Sequence, residues 1–340
     1  MDCREQVLLA DYTTLRAGGL ARYLFFVASE DDIVDALSCA EEKNIPIHIL
    51  GGGSNTLFSD EGFTGVVVHI KNKGITFSHT DTGDVTCVAE AGEAWNDVVN
   101  SSVERGFYGI ECLATIPGTV GGAIVQNIGA YGSEVKDVVS WVEVYDMKKK
   151  KTIRLEKGMC NFGYRDSLFK KEPNRYVVVR AALRFSHTVS ERTLHLDIVK
   201  EMERVSNGVS GSRNIAEAVA RVRARKLPDW KKIGTAGSFF KNPIVDDCTG
   251  RHVLEKYPDA VHTMLPDSRV KFAAGWLIDH VAGMRGVREG NVGTWEHQAL
   301  VIVNEGRENS EEIQMFMEKV QQKVHDQTGI MLEPEVVIVK

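Results

Sequence analysis

Two glycine-rich stretches and three polar clusters hold the residues of this chain that could do chemistry. "GGGSNT" covers Gly51 to Thr56. Successive backbone N–H groups in such a loop can form a nest that cups a diphosphate, with Ser54 and Asn55 adding side-chain donors. "IPGTVGGAIVQNIGAYG" runs from Ile116 to Gly132 with five glycines, one proline and no charge. Glycine allows positive φ and close approach of backbone to a ligand, while Ile116, Val120, Ile124, Val125 and Ile128 argue against a wet surface loop. A loop wrapped around something large, flat and partly apolar is expected. In "FGYRDSLF" (162–169), aromatic residues bracket Tyr164, Arg165, Asp166 and Ser167; the plain alternative is a surface turn with an internal Arg–Asp pair. "GTAGSFFKNP" (234–243) sets Ser238, Lys241 and Asn242 around two phenylalanines. "LEPEVVIV" places Glu333 and Glu335 on one face of a strand by period-two spacing, with Pro334 suggesting a sheet edge. Ordinary solvent-facing glutamates are the competing reading.

Several chemistries are excluded by pattern. No G-x-x-x-x-G-K-[ST] occurs, and "GGGSNT" has Thr56 where the third glycine of G-x-G-x-x-G belongs, so neither a P-loop nor a Rossmann turn is expected. The ten histidines are scattered, without H-E-x-x-H or a Cys/His cluster, so no metal site is expected. A nucleophile elbow G-x-S-x-G is absent, and "GVSGSRN" (208–214) reads as a linker. A formal charge of −6 gives no electrostatic reason to bind nucleic acid or an anionic membrane. The neutral stretch fails as a membrane span, because Pro117, Gln126, Asn127 and the glycines interrupt a run that needs ~20 apolar residues. Six widely spaced cysteines and a start without signal-peptide character read as a reduced, cytoplasmic protein.

The elements that must position these residues follow from periodicity. At 340 residues, two or three domains are expected. Ser29 can cap a helix whose first turn holds Glu30, Asp31 and Asp32, with Ile33, Val34, Leu37 and Ala40 on one face. "IPIHIL" and "GVVVHI" read as strands. "VTCVAEAG" reads as a strand and "EAWNDVVNSSVERG" as a helix with Gly106 near its C-cap. "KKKK" (148–151) sits at a hairpin tip between "VSWVEVYDM" and "TIRLEK". "RYVVVRAALRF" is strand-like, "NIAEAVARVRARKLPDW" a helix stopped at Pro228, and "KFAAGWLIDHVAGMRG" a helix with a glycine-rich exit. "QALVIVNEG" is a strand, "SEEIQMFMEKVQQKVHDQTG" an amphipathic helix capped by Ser310, and "IMLEPEVVIVK" a final strand.

In order along the chain, "TTLRAGGLARY", "ILGGGSNTLF", the neutral stretch, "FGYRDSLFK", "RKLPD", "GTAGSFFKNP", "AAGWLID", "QALVIVN" and "LEPEV" resemble the UDP-N-acetylenolpyruvoylglucosamine reductase family, the MurB flavoenzymes of peptidoglycan synthesis. The resemblance spans nearly the whole chain. It implies an α+β protein with a two-subdomain FAD-binding fold of the vanillyl-alcohol-oxidase (PCMH) type plus a C-terminal α/β substrate-binding domain. The expected divisions are 1–70, joined by a C-terminal strand within 330–340, then 71–226 and 227–329.

The same resemblance assigns residues. FAD, held non-covalently, would contact Gly51, Gly52, Gly53, Ser54, Asn55, Thr56 and Leu57 in the first loop. In the second it would contact Pro117, Gly118, Thr119, Gly121, Gly122, Gln126, Asn127, Gly129, Ala130, Tyr131 and Gly132, with Arg223 near the flavin or the nucleotide. The implied activity is NADPH-dependent reduction of UDP-N-acetylglucosamine enolpyruvate to UDP-N-acetylmuramate, by hydride transfer from reduced flavin N5 to C3 and protonation at C2. Arg165 matches the arginine that stabilises charge on the substrate carboxylate, Glu335 its carboxyl partner, expected to act protonated, and Ser238 the proton donor. Tyr164, Lys226, Asn242 and Gln298 match substrate contacts. By spacing from the strand ending at Phe185, His195 stands where members often have a tyrosine that closes over the UDP diphosphate. A monomer is expected. The alternatives are another FAD-linked oxidoreductase of the same fold and a non-catalytic nucleotide-sugar-binding protein.

Overall fold

The computed structural model describes residues 2–79, 83–188, 194–205, 211–306 and 309–340. Residues 208–210 of the expected linker lie outside this set, and its remainder differs from the expectation: Ser212 opens the helix Ser212–Lys226, with Ile215, Ala218, Val219 and Val222 buried at helical spacing. The chain forms two compact units, neither of them one contiguous stretch. One comprises 1–7, 21–53 and 64–224, and the other 8–20, 54–63 and 225–340. Segments early in the chain thus belong to the C-terminal unit.

The first unit is built on two sheets. One orders Asp2–Leu8, Leu20–Val27, Phe63–Ile70 and Ile47–Leu50, the last two parallel. The helix Glu30–Lys43 precedes Ile47–Leu50, and a reciprocal capping box between Ser29 and Asp32 fixes its start. The other sheet is antiparallel, in the order Lys151–Glu156, Val139–Asp146, Tyr176–Phe185, Val85–Glu90, Ile75–His79. Val85, Cys87 and Ala89 alternate inward on one strand, as period-two patterning requires. The four lysines fall at the turn of the 139–156 hairpin, where Asp146 accepts from the amides of Lys148 and Lys149. Cys87, Cys112 and Cys160 are buried and form no disulfide, consistent with thiols acting as small hydrophobes.

The second unit has an antiparallel sheet in the order Gly234–Ser238, Gln298–Asn304, Val292–Trp295, Arg288–Glu289. Ile313, Phe316, Met317, Val320 and Val324 of the helix Ser310–Thr328 are buried. Its cap is Asn309, not Ser310. Ser310 instead turns inward, its hydroxyl donating to Asp60 at 2.8 Å. The expected helix over 271–286 is also shorter: Val270–Phe272 is a strand, Ala274–Trp276 a helical turn, and Leu277–Val281 a π-type turn. The C-terminal strand is only Val337–Val339 and pairs in parallel with Thr56–Phe58, a separate ribbon rather than an addition to the first sheet. No helix among the described residues is long and apolar enough to cross a membrane.

Candidate functional site

In the first unit the two glycine stretches pack against each other. A Cβ on Gly51 would lie 2.7 Å from Thr119 Oγ1, and one on Gly52 would lie 2.7 Å from Gly118 Cα. Protein packing therefore sets part of the glycine requirement, independently of any ligand. Nor is the neutral stretch a loop throughout. Thr119 caps a seven-residue helix, Val120–Gln126, which ends at Asn127 with φ 42°. Two helical glycines cost about 1 kcal/mol each, and tertiary contacts offset that cost. Val120 N–H donates to Glu93 O at 2.9 Å and Gly121 N–H to Ala91 O at 2.8 Å. The missing Cβ at Gly121, which would sit 3.1 Å from Ala91 Cβ, permits that approach.

The far end of this stretch holds the turn carrying Arg165. Gly163 and Asp166 exchange backbone hydrogen bonds across the turn, and Arg165 takes φ 52°. Its guanidinium donates to Gly129 O at 2.6 Å, and a Cβ on Gly129 would come within 2.8 Å of Arg165 Nη1. Fully buried Asn127 donates to Gly163 O at 2.7 Å and to Glu134, and accepts from Lys136 N–H. Its side chain therefore holds the turn. Ser167 Oγ donates to Val125 O at 2.7 Å. Lys170 Nζ donates to Gln126 Oε1 at 3.0 Å and to Arg165 O at 3.3 Å. Asp166 pairs with Lys171 at 3.1 Å, so the competing internal Arg165–Asp166 pair is not what closes the turn. Tyr164 lies beside Arg165, whose Cζ is 5.5 Å from its ring centre.

Arg223 supplies a half-buried cation in the same unit. Burial pushes its guanidinium below the usual arginine range, and the nearby Tyr131 hydroxyl acts in the opposite sense. Among the described residues no carboxylate pairs with Arg223, so an anionic group such as a diphosphate suits it electrostatically. Together with the small, uncharged glycine surfaces, that makes the residues present a fit for FAD. His195 stacks edge-on against Tyr131 with 5.5 Å between ring centres. Its Nδ1 accepts from Asp197 N–H at 3.2 Å, so it also caps the helix Leu196–Val205.

In the second unit the main chain brings Ser238 and Glu335 into neighbouring segments. Phe239 N–H donates to Leu300 O at 2.9 Å and Glu335 N–H to Phe239 O at 2.8 Å. Phe239 and Phe240 are buried, while Ser238 is exposed beside Gly237, whose φ is 72°. Glu333 and Glu335 lie just before the strand Val337–Val339, not within it. They flank Pro334, which bridges to Phe240, and Glu333 reaches Lys241. Asn55 and Leu57 of the first loop also have partners within the protein. Asn55 Nδ2 donates to Glu335 O at 3.0 Å, so Asn55 braces the Glu335 segment. Leu57 is fully buried in the core because its strand pairs Ile338, which leaves its side chain no surface for a cofactor. Asn242 Oδ1 accepts from Ala274 N–H at 2.9 Å, and Gln298 Oε1 lies 2.7 Å from where a Gly275 Cβ would be. Both amides thus flank the same short turn. Lys226 is exposed at the end of its helix, and Thr56 lies in the strand Thr56–Phe58.

Sequence reasoning missed the supporting roles of Lys170, Glu134 and Asp60. For Lys170 a signal existed: it stands five residues after Arg165, inside "FGYRDSLFK".

Known proteins match this arrangement along nearly its full length. Residues 21–156 match a family described as FAD binding domain, and residues 228–339 one described as UDP-N-acetylenolpyruvoylglucosamine reductase, C-terminal domain. A UDP-N-acetylenolpyruvoylglucosamine reductase of Pseudomonas aeruginosa is 39% identical over 98% of both chains. One of Bdellovibrio bacteriovorus is 41% identical over 96% of both. Among solved structures, UDP-N-acetylenolpyruvylglucosamine reductase (MurB) from Thermus caldophilus matches with a TM-score of 0.69 and 25% identity over the whole of both chains.

Proposed function

The chain belongs to the UDP-N-acetylenolpyruvoylglucosamine reductase family, and on that premise we propose that it is a cytoplasmic, FAD-dependent reductase of UDP-N-acetylglucosamine enolpyruvate with NADPH as the reductant. One observation carries the reading: Arg165 is tied by its guanidinium to Gly129 O, inside the neutral stretch that the first unit offers to a flavin. When bound, FAD supplies the hydride that NADPH delivers to it. The rest is work for side chains. Arg165 offsets the charge that develops on the substrate carboxylate as hydride adds at C3, the kind of fixed donor whose loss costs ~10²–10³ in rate. Glu335 partners that carboxylate, and Ser238 gives a proton to C2, help worth ~10²–10⁴. Arg223 and the glycine surfaces of the first unit hold the cofactor. Lys226 suits the UDP diphosphate, while Tyr164, His195, Asn242 and Gln298 orient the substrate. The protein acts as a monomer.

The test is a colour experiment. Purified protein is expected to be yellow, NADPH to bleach it, and the enolpyruvyl substrate to restore the colour without oxygen. Bleaching without recovery would point to an unrelated flavin reductase or oxidase. A colourless protein would point to a non-catalytic nucleotide-sugar binder.

A further inference from the structure

Arg165 occupies a left-handed backbone conformation at φ 52°, which an L-residue keeps only when its surroundings impose it. The Gly163–Asp166 bonds close the turn around it but leave its own carbonyl to another partner. That partner is Lys170 Nζ, 3.3 Å away, which also donates to Gln126 Oε1 at 3.0 Å on the last residue of the helix Val120–Gln126. Gln126, Asn127 and Gly129 lie on one continuous segment, and Gly129 O receives the Arg165 guanidinium. Lys170 therefore links the main chain of Arg165 to the segment that receives its side chain. An ammonium suits the task because each N–H takes a separate acceptor, and both bonds are charge-assisted.

We propose that Lys170 is a positioning residue for Arg165, fixing the turn so that the guanidinium is presented in one orientation. It touches neither substrate nor cofactor in this role, which rests on the reductase reading above. Lys170→Met should slow reoxidation by the enolpyruvyl substrate about 10–100-fold, the cost of a misplacement on the order of 1 Å. FAD content and the rate of reduction by NADPH should change less than about twofold. Lys170→Arg should recover most of the loss, and in an Arg165→Ala background Lys170→Met should add less than about twofold. Amide hydrogen exchange over 163–166 should accelerate in Lys170→Met and return towards wild type in Lys170→Arg. If the Met variant does not fold, Lys170→Gln carries the same comparison. Equal slowing of both half-reactions, an undiminished effect in the Arg165→Ala background, or unchanged exchange over 163–166 would overturn the proposal. Failure of wild-type protein to regain colour would instead count against the reductase reading, and the exchange measurement would still decide the link between Lys170 and Arg165.

Discussion

In the first unit the turn bearing Arg165 is held by side chains: Asn127, Ser167 and Lys170 each reach across to fix it. In the second unit the segments of Ser238 and Glu335 are joined by main chain, through the ladder from Leu300 to Phe239 to Glu335, with the Asn55 side chain bracing Glu335 O. Two glycines near the candidate residues differ as well. Gly52 is required because protein fills the space a side chain would need, whereas a Cβ on Gly237 would meet nothing within 4 Å and only its φ of 72° favours glycine. A cation whose direction matters is fixed by a web of polar contacts that single substitutions can loosen. A hydroxyl at the end of a strand needs only the strand.

Arg165→Met should lower the rate of substrate reoxidation ~10²–10³-fold while FAD content holds; an unchanged rate would remove Arg165 from the chemistry. Gly52→Ala comes next, because overpacking against backbone costs about 1–3 kcal/mol. It should lower Tm and the flavin-to-protein absorbance ratio together. Gly237→Ala should instead cost about 1 kcal/mol of strain and leave flavin content intact. Equal flavin loss in both variants would erase the contrast between the units.

Acid should act through the first unit. Burial, with a smaller contribution from Lys71, pushes His69 from 6.5 down to about 4, against the opposing effect of its hydrogen bond to the Gly51 carbonyl. Between those values the unfolded chain binds a proton that the folded chain refuses. The stabilisation is therefore complete above pH 6.5 and is lost as pH falls towards 4, with a slope of at most ~1.4 kcal/mol per pH unit. Tm measured across that range should fall more steeply in wild type than in His69→Gln. The smallest expected effect is Asn55→Ala, which removes one hydrogen bond to Glu335 O worth about 1 kcal/mol. It should slow reoxidation a few-fold without altering reduction, whereas loss of FAD would point to Asn55 as a diphosphate ligand.

Local signals made much of the fold legible. Ser29 with its acidic first turn, the lysine-tipped hairpin and the alternation of Val85–Glu90 all depend on neighbours in sequence, and each element formed as its pattern demands. The readings that missed were decided by distant partners. Glycine propensity argues against the helix Val120–Gln126, and only contacts with Ala91 and Glu93 reverse it. Ser310 has the composition of a cap, but Asp60, far away in sequence, draws it inward and leaves the cap to Asn309. At the site, motif order was legible while side-chain allegiance was not: nothing in "GGGSNTLF" says that Asn55 braces Glu335 or that Leu57 turns into the core.

The proposed roles separate holding the cofactor, given to Arg223 and the glycine surfaces, from delivering the proton, given to Ser238. Stopped-flow measurement of the two half-reactions in Ser238→Ala tests that separation most directly. Reduction by NADPH should proceed at nearly the wild-type rate, while reoxidation by the enolpyruvyl substrate slows ~10²–10⁴-fold. Equal slowing of both halves, or none in either, would contradict the account.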